Sequence, residues 1–470
     1  MAESLAIQLA NHKCASVVAP AGCGKTYLIS EAVSHTKGCQ LVLTHSHAGK
    51  SAITTRMREM HVPMERYCVA TLDSFALNYA RAFPTIGEVA GKSLESFDWP
   101  AIRRGAAKAL GNTAVQNVVH ATYAGIFVDE YQDCDKPQHE LVISLAQLLP
   151  CRILGDPLQA VFKPLHKGES LSWHDAVKVF PQIGTLSTPH RWKNCNSGLG
   201  EWLLHVRQSV EKGESVPLRD HGVPGLSVIQ TSDYVRKLTE CYNILDHTEG
   251  RVVILRRFPN ECHALASKLK NRCVVFEDIQ LGELERPAGE IFRFTGFDRM
   301  NAVIQFAHRW LSNIPDAVRN ACERLLAGKH PTTKDPQAIA VIARLRQVAE
   351  SNKLLAVDEA LAQYEQCKPT FKSFEVWRGL RKAIQAYDPN EKDTLLQTVQ
   401  NQRDALRRLG RKLPTRSIAT PLLVKGLECE HALIFDLDTI ESNESLYVSL
   451  TRASTTLTLI TANHCIQPFV

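Results

Sequence analysis

The fold is decided by Ala15-Ser16-Val17-Val18-Ala19 and the loop that follows it, Pro20-Ala21-Gly22-Cys23-Gly24-Lys25-Thr26. The first run is apolar and strand-like, and the helical pattern of Tyr27–Val33 begins directly after the loop. A strand, a glycine-containing loop and a helix in this order are typical of a phosphate-binding loop. The backbone N–H groups would surround the phosphates, Lys25 would reach their outer oxygens, and the Thr26 hydroxyl would ligate Mg²⁺. The predicted nucleotide contacts here are Ala21, Gly22, Cys23, Gly24, Lys25, Thr26 and Tyr27.

Two carboxylates follow the next buried strand pattern. Gly125–Val128 runs into Asp129-Glu130-Tyr131-Gln132-Asp133, and the carboxyl end of a parallel strand lies at the sheet edge where ligands bind. Asp129 would hold Mg²⁺, and Glu130 would orient and deprotonate an attacking water. A solvated acidic turn is the alternative interpretation, and the pairing with the phosphate loop disfavours it.

A third apolar run, Cys151–Leu154, ends in Gly155-Asp156-Pro157-Leu158-Gln159, where Gln159 could sense the γ-phosphate. The three motifs, in this order, resemble the UvrD/Rep branch of superfamily 1 DNA helicases. That resemblance implies an α/β fold with two RecA-like P-loop NTPase lobes, each a parallel sheet flanked by helices, and reduced helical accessory insertions. It also implies ATP and Mg²⁺ as the cofactors.

Further nucleotide-facing motifs of that family have counterparts along the chain. Leu186–Arg191 resembles the family's Asn-Tyr-Arg motif, with Arg191 in the place of the arginine that contacts the γ-phosphate and His190 in the place of the tyrosine that stacks on adenine. The resemblance places Glu428 on the ribose and makes Arg452 an arginine finger that crosses the cleft between the lobes. Gln8 resembles the glutamine that reads adenine.

The strand-facing motifs resemble the family less closely. Leu422 stands where the family has a histidine, and Phe162-Lys163-Pro164 keeps one aromatic residue of the family's base-stacking element. Phe75, Phe162 and His45 remain as possible stacking platforms for bases, although a position in the core is the alternative for each aromatic ring. The predicted contacts to single-stranded DNA are Thr44, His45, Thr71, Ser74, Phe75, Phe162, Thr420 and Lys425.

The order of the motifs predicts the domain boundaries. Residues 1–185 would form the first lobe, with a small helical insert near 82–118. Residues 186–295 and 412–470 would form the second lobe, interrupted by a helical insertion over 296–411. The insertion is poor in glycine and carries amphipathic patterns, as expected for a reduced counterpart of the family's second accessory domain.

Composition is that of an ordinary globular enzyme. The 470 residues are 44% hydrophobic and 22% charged, with a formal charge of +6, which permits a polyanionic partner without demanding one. The 14 cysteines contain no Cys-x-x-Cys pair, which favours reduced thiols in a cytoplasmic protein. We see neither a signal peptide nor a run long and apolar enough to span a membrane.

These patterns predict a single-stranded-DNA-stimulated helicase or translocase, with 3′ to 5′ polarity implied only by the resemblance. Short chains of this kind also resemble the helicase-like subunit of Gabija-type antiphage defence systems, whose partner is an OLD-family nuclease. The alternative is an ATP-binding regulatory or interaction subunit that controls a nuclease and unwinds little or no DNA. The sequence leaves repair and antiphage roles equally open.

Overall fold

The computed structural model describes residues 3–89, 91–95, 98–162, 171–219, 222–270, 272–276, 282–387, 395, 398–399 and 413–469. The chain divides into two compact units. The first combines Met1–Phe258 with Arg408–Val470, and the second is Pro259–Arg407. None of the described helices is long and apolar enough to cross a membrane.

The amino-terminal part of the first unit is built on a six-stranded sheet. Its strands are β1 (Cys14–Val18), β2 (Gln40–Thr44), β3 (Tyr67–Thr71), β4 (Gly125–Val128), β5 (Cys151–Gly155) and β6 (Gln182–Thr185). They lie in the order β3-β2-β4-β5-β1-β6, and every neighbouring pair is parallel. Strands β2, β4 and β5 are buried along their whole length, as expected where helices cover both faces of a parallel sheet.

The helices of this lobe connect the strands in chain order. They are α1 (Leu5–Asn11), α2 (Lys25–His35), α3 (His47–Glu59), α4 (Leu72–Ala82), α5 (Gly91–Glu95), α6 (Trp99–Ala109), α7 (Thr113–Thr122), α8 (Lys136–Leu148) and α9 (Trp173–Val179). The short helices α5 to α7 lie where the sequence predicts a small helical insert. Arg103 of α6 fastens this insert, because it donates to Asp73 through Nε at 2.8 Å and Nη2 at 3.0 Å and also pairs with Asp135.

The chain then begins a second parallel sheet. Its first strands are β8 (Leu226–Gln230) and β9 (Val252–Leu255), and α10 (Ser197–Lys212) and α11 (Tyr234–His247) accompany them. The short strand β7 (Val216–Pro217) lies outside this sheet. After Phe258 the chain enters the second unit.

The second unit is helical around its own apolar core. Its elements are α12 (Pro259–Lys268), β10 (Val274–Val275), α13 (Gly282–Arg293), α14 (Gly296–Trp310), β11 (Leu311–Ser312), α15 (Asp316–Leu326), α16 (Pro336–Glu350), α17 (Leu355–Gln366), β12 (Thr370–Phe371) and α18 (Phe374–Ala386). The Trp377 ring stacks on Phe306 with centroids 5.5 Å apart, and β11 pairs with β12 in antiparallel fashion. Residues 388–394, 396–397 and 400–411 of the predicted 296–411 insertion lie outside the described residues.

The remaining elements return to the second sheet. They are β13 (Arg416–Ala419), α19 (Pro421–Val424), β14 (Cys429–Ile434), α20 (Asn443–Leu450) and β15 (Ala453–Thr461). The last strand, β16 (Cys465–Ile466), instead pairs with β7 in antiparallel fashion. Strands β13, β9, β14, β15 and β8 lie side by side in that order, all parallel. The predicted α/β class, with two parallel sheets flanked by helices, is confirmed.

Candidate active site

One cavity of about 730 Å³ in the first unit receives residues from both lobes. The loop after β1, the ends of β2, β4 and β5, and residues that belong to the second lobe all line it. The predicted site residues that line it are Ala21, Gly22, Gly24, Lys25, Thr26, Tyr27, Thr44, His45, Asp129, Glu130, Gln159, Phe162, His190, Arg191, Lys425, Glu428 and Arg452. The predicted residues that do not line it are Gln8, Cys23, Thr71, Ser74, Phe75 and Thr420.

The loop between β1 and α2 needs glycine at two positions. Gly22 and Gly24 have φ angles of +69° and +88°, in the left-handed region that favours glycine. Space is also short, because a Cβ at Gly22 would lie 2.6 Å from Cζ3 of Trp192, and one at Gly24 would lie 3.1 Å from Cδ2 of His190. The loop can therefore approach both a bound phosphate and the second lobe closely only without side chains here.

Lys25 joins the loop to the two carboxylates after β4. Its Nζ lies 3.3 Å from Oδ1 of Asp129 and also pairs with Glu130. Burial would raise the pKa of Glu130, but attraction to Lys25 and then to Lys425 outweighs it and lowers that pKa to about 2. Burial is the larger effect on Asp129 and raises its pKa to about 6 despite Lys25. Glu130 is therefore ionised at neutral pH.

The backbone at Glu130 is unusual. Its φ is +56°, a left-handed conformation that costs free energy in a residue with a Cβ. The turn aims the carboxylate into the cavity, where the side-chain amide of Gln132 donates to it. Such strain is common where a functional side chain must be held in one place.

The residues present fit a nucleotide and its Mg²⁺. Oδ1 of Asp129 is buried and accepts no hydrogen bond from the described residues, although Lys25 lies near it. Thr26, the second residue of α2, lines the same cavity. A carboxylate oxygen and a threonine hydroxyl are hard donors that suit Mg²⁺, and the loop at the start of α2 suits phosphate.

Arg191 reaches the cavity from the segment after β6, and its side chain is held by other residues of the second lobe. Its Nη1 donates to the carbonyl of Thr451 at 2.6 Å, and its Nη2 pairs with Glu428 at 2.6 Å. The Nε of Arg191 is buried without an acceptor among the described residues. Arg191 can therefore hold an anion from the second-lobe side of the cavity.

Arg452 is 1% exposed and is held by backbone carbonyls. Its Nε donates to Val448 at 2.7 Å, and its Nη1 donates to Val424 at 3.3 Å and to Leu427 at 3.1 Å. Burial lowers its pKa to about 10, so the side chain stays positively charged at neutral pH. In this conformation Arg452 braces the segment from Val424 to Leu427 while it lines the cavity.

Sequence reasoning did not identify the partner of Lys425. Lys425 donates to both carboxylate oxygens of Asp133, at 2.5 and 2.6 Å, and also to the backbone carbonyl of Gln159. Its Nζ also lies 5.0 Å from the centroid of the Phe162 ring. Lys425 thus ties the second lobe to the first at the cavity, and only the presence of Asp133 in the acidic motif could have suggested the pair.

Several residues that were predicted to contact single-stranded DNA have structural roles instead. The Thr71 hydroxyl accepts from the N–H of Ser74, and the Ser74 hydroxyl accepts from the N–H of Thr71, so together they cap α4. The Phe75 ring is 3% exposed and stacks on Tyr79 at 4.5 Å. A ring buried in the core cannot stack on a base in this conformation, which corrects the interpretation of Phe75 as a platform. Thr420 is also buried, at the start of α19.

Two predicted nucleotide contacts also lie apart from the cavity lining. The side-chain amide of Gln8 donates to the carbonyl of Glu3 at 2.8 Å, so α1 itself uses the amide that was expected to read adenine. Cys23 turns its thiol into the protein, where burial raises its pKa to about 12. The Cys23 side chain is part of the core, and its predicted contact, through the backbone of the loop, stays a prediction. The Gln8 amide stabilises the start of α1 in this structure, so its predicted contact with adenine also stays a prediction.

Comparison with known proteins gives a family match within the first lobe. Residues 3–163 match the family model described as an AAA domain. No curated protein is significantly similar in sequence. A solved arterivirus structure, described as nonstructural protein 10 (helicase) in complex with DNA, matches at 13% identity with a TM-score of 0.28. That match covers 53% of this chain and 49% of the other, and a likeness this weak carries no argument about function.

Proposed function

We propose that the chain is a helicase-type ATP hydrolase that moves along single-stranded DNA. The observation that supports it best is the meeting at one cavity of Lys25 and Glu130 from the first lobe with Arg191 from the second. Phosphoryl transfer depends mainly on positioning and on neutralising charge, and this set supplies both.

Each residue has a role that its surroundings permit. Lys25 and the loop N–H groups would hold the phosphates, while Thr26 and Asp129 would hold Mg²⁺, which neutralises phosphate charge when bound. Glu130 is ionised and would orient and deprotonate the attacking water. A phosphate that draws Lys25 away would remove the main charge that lowers the pKa of Glu130, and so would make Glu130 a stronger base.

Coupling to movement would use the bonds between the lobes. Lys425 of the second lobe bonds to Asp133 and to the carbonyl of Gln159 in the first lobe, so the state of the nucleotide can alter the contact between the two lobes. Alternating closure of the lobes would then become steps along a strand. The family resemblance suggests 3′ to 5′ direction.

The test is steady-state ATP hydrolysis by the purified chain, with and without single-stranded DNA, using Glu130→Gln as the blank. We expect hydrolysis in the wild type, several-fold stimulation by DNA, and a variant that still binds ATP but loses at least about 100-fold in kcat. A Glu130→Gln variant that turned over at the native rate would remove Glu130 from its role.

A second candidate is a nucleotide-controlled subunit that regulates a nuclease partner, as in the antiphage systems that the sequence resembles. The engagement of Thr71, Ser74 and Phe75 inside the first lobe favours it, because fewer predicted strand contacts remain available. In this case hydrolysis would be indifferent to DNA and would change on addition of an OLD-family nuclease encoded beside the chain.

A further inference from the structure

A buried ion pair joins the two lobes behind the cavity. Nη1 of Arg207, on α10, lies 2.6 Å from Oδ1 of Asp156, which follows β5. The two side chains are 4% and 0% exposed, so both charges are removed from water. Burial of this kind is costly unless hydrogen bonds satisfy both partners, and it is therefore a poor way to gain stability alone.

Asp156 connects Arg207 to residues that line the cavity. Its Oδ2 accepts from the side-chain amide of Gln159 at 2.6 Å, and its backbone N–H donates to the side-chain oxygen of Gln132 at 2.9 Å. The other end of Gln132 donates to Glu130. The carboxylate of Asp156 thus holds Gln159 directly, whereas its backbone N–H is connected to Glu130 through Gln132.

Arg207 is itself fixed within the second lobe. Its guanidinium lies 5.3 Å from the centroid of the Tyr447 ring, and its Nη2 pairs with Glu211 at 2.8 Å. Tyr447 belongs to α20, whose last turn leads to Thr451, the residue that accepts a hydrogen bond from Arg191. Movement of the second lobe would therefore move Arg207 and Arg191 together.

We propose that Arg207 is a positioning residue for nucleotide hydrolysis, which acts by fixing the carboxylate of Asp156 and through it Gln159. The proposal rests on the proposed hydrolase function. It adds a residue outside every motif by which the site was recognised. The rival explanation is a structural strut that holds the lobes together without affecting the chemistry.

The first experiment compares kcat and KM of Arg207→Met, Arg207→Lys and Glu211→Gln, each checked for folding by circular dichroism. Methionine removes the charge at similar length, lysine keeps it, and Glu211→Gln removes the exposed partner of the same arginine as the matched control. We expect Arg207→Met to lower kcat about tenfold or more with KM changed less than about threefold, because small displacements of catalytic groups have large effects on rate. Arg207→Lys should recover part of the loss, and Glu211→Gln should match the wild type.

A double-mutant cycle separates positioning from support. If Arg207 acts through Gln159, Arg207→Met should lower kcat little further in a Gln159→Ala background. Equal losses in both backgrounds, or an Arg207→Met variant that melts earlier but keeps its kcat, would overturn the proposal. Arg207→Lys allows the same cycle if the methionine variant fails to fold.

A wild type without hydrolysis would contradict the proposed function and leave the positioning testable by amide hydrogen exchange. Exchange at Leu158 and Gln159 should rise in Arg207→Met and stay at the wild-type level in Glu211→Gln, because the N–H of Leu158 donates to Asp156 at 3.2 Å. Unchanged exchange at these two amides would overturn the positioning role independently of hydrolysis.

Discussion

The residues expected to face a nucleotide and those expected to face a nucleic-acid strand differ in where the structure places them. Lys25, Glu130 and Arg191 line one cavity, where Lys25 pairs with Glu130 and Arg191 donates to the carbonyl of Thr451. Thr71 and Phe75 lie inside the first lobe, where one caps a helix and the other packs in the core. The predicted motifs therefore contain both residues that line the cavity and residues that stabilise the local fold.

The largest effect is expected among the residues predicted to contact the nucleotide. Lys25→Ala removes the charge that pairs with Asp129 and Glu130 and would contact phosphate, so we expect nucleotide affinity and kcat each to fall, with kcat/KM lower by at least about 100-fold. Isothermal titration with a non-hydrolysable ATP analogue and a steady-state assay measure the two. Lys178→Ala removes an exposed lysine and is the control. Unchanged nucleotide affinity in Lys25→Ala would contradict the phosphate-loop assignment.

Phe75→Ala tests the residues predicted to contact single-stranded DNA. Truncation of a buried aromatic side chain usually costs about 3–5 kcal/mol of unfolding free energy, whereas loss of a stacking contact costs about 1–3 kcal/mol of binding free energy. We expect the first in urea unfolding. Phe162→Ala, at a partly exposed ring that lines the cavity, should weaken DNA binding with a smaller loss of stability. The reverse pattern would return Phe75 to the strand-binding surface.

His45 lies where the two sets meet, and its titration is the next largest effect. Burial, and then the nearby Lys425, lower its pKa to about 4. Between about pH 6.5 and pH 4 the unfolded chain binds a proton that the native chain does not, so this contribution to stability is present above the window and is lost as pH falls through it. His45→Asn should lose about 1–3 kcal/mol less than wild type between pH 7 and pH 4 by urea unfolding.

The wild-type profile of unfolding free energy against pH is the reference for this prediction. If His45→Asn followed that profile, His45 would be accessible to protons in the native state and could face a ligand.

A smaller effect is expected at the cap of α4. Thr71→Ala removes the side chain that accepts from the N–H of Ser74 at 3.1 Å and should lower the unfolding free energy by about 1 kcal/mol. Thr71→Ser keeps the hydroxyl and should restore most of it. A Thr71→Ala variant with native stability but weaker DNA binding would make Thr71 a strand contact rather than a cap.

The smallest effect is expected at Gln8. Its amide donates to Glu3, so Gln8→Ala should leave the KM for ATP within about twofold of the wild-type value. A selective rise in that KM, with the KM for GTP unchanged, would show that Gln8 leaves Glu3 to read adenine.

The sequence predicted the parts of the molecule that depend on local patterns. Strand, loop and helix order around Lys25, and the carboxylates after β4, suffice for the α/β class and for most of the cavity wall. Contacts between distant residues have no local pattern: Arg207 with Asp156, and Lys425 with Asp133, join residues 51 and 292 positions apart. The burial of Phe75 could not be predicted for a similar reason, because the local sequence is the same whether its ring packs in the core or faces a base.

Because Trp192 lies close to Gly22, it is an intrinsic fluorescence probe of the site. The indole touches the phosphate loop, donates from Nε1 to the carbonyl of Ala453 at 2.7 Å, and lies beside the Arg191 guanidinium. Indole emission depends on the charges and dipoles around the ring, so movement of the loop or of β15 would alter its fluorescence. With the other five tryptophans replaced by phenylalanine, Trp192 would report in real time, without any added label, when a nucleotide enters.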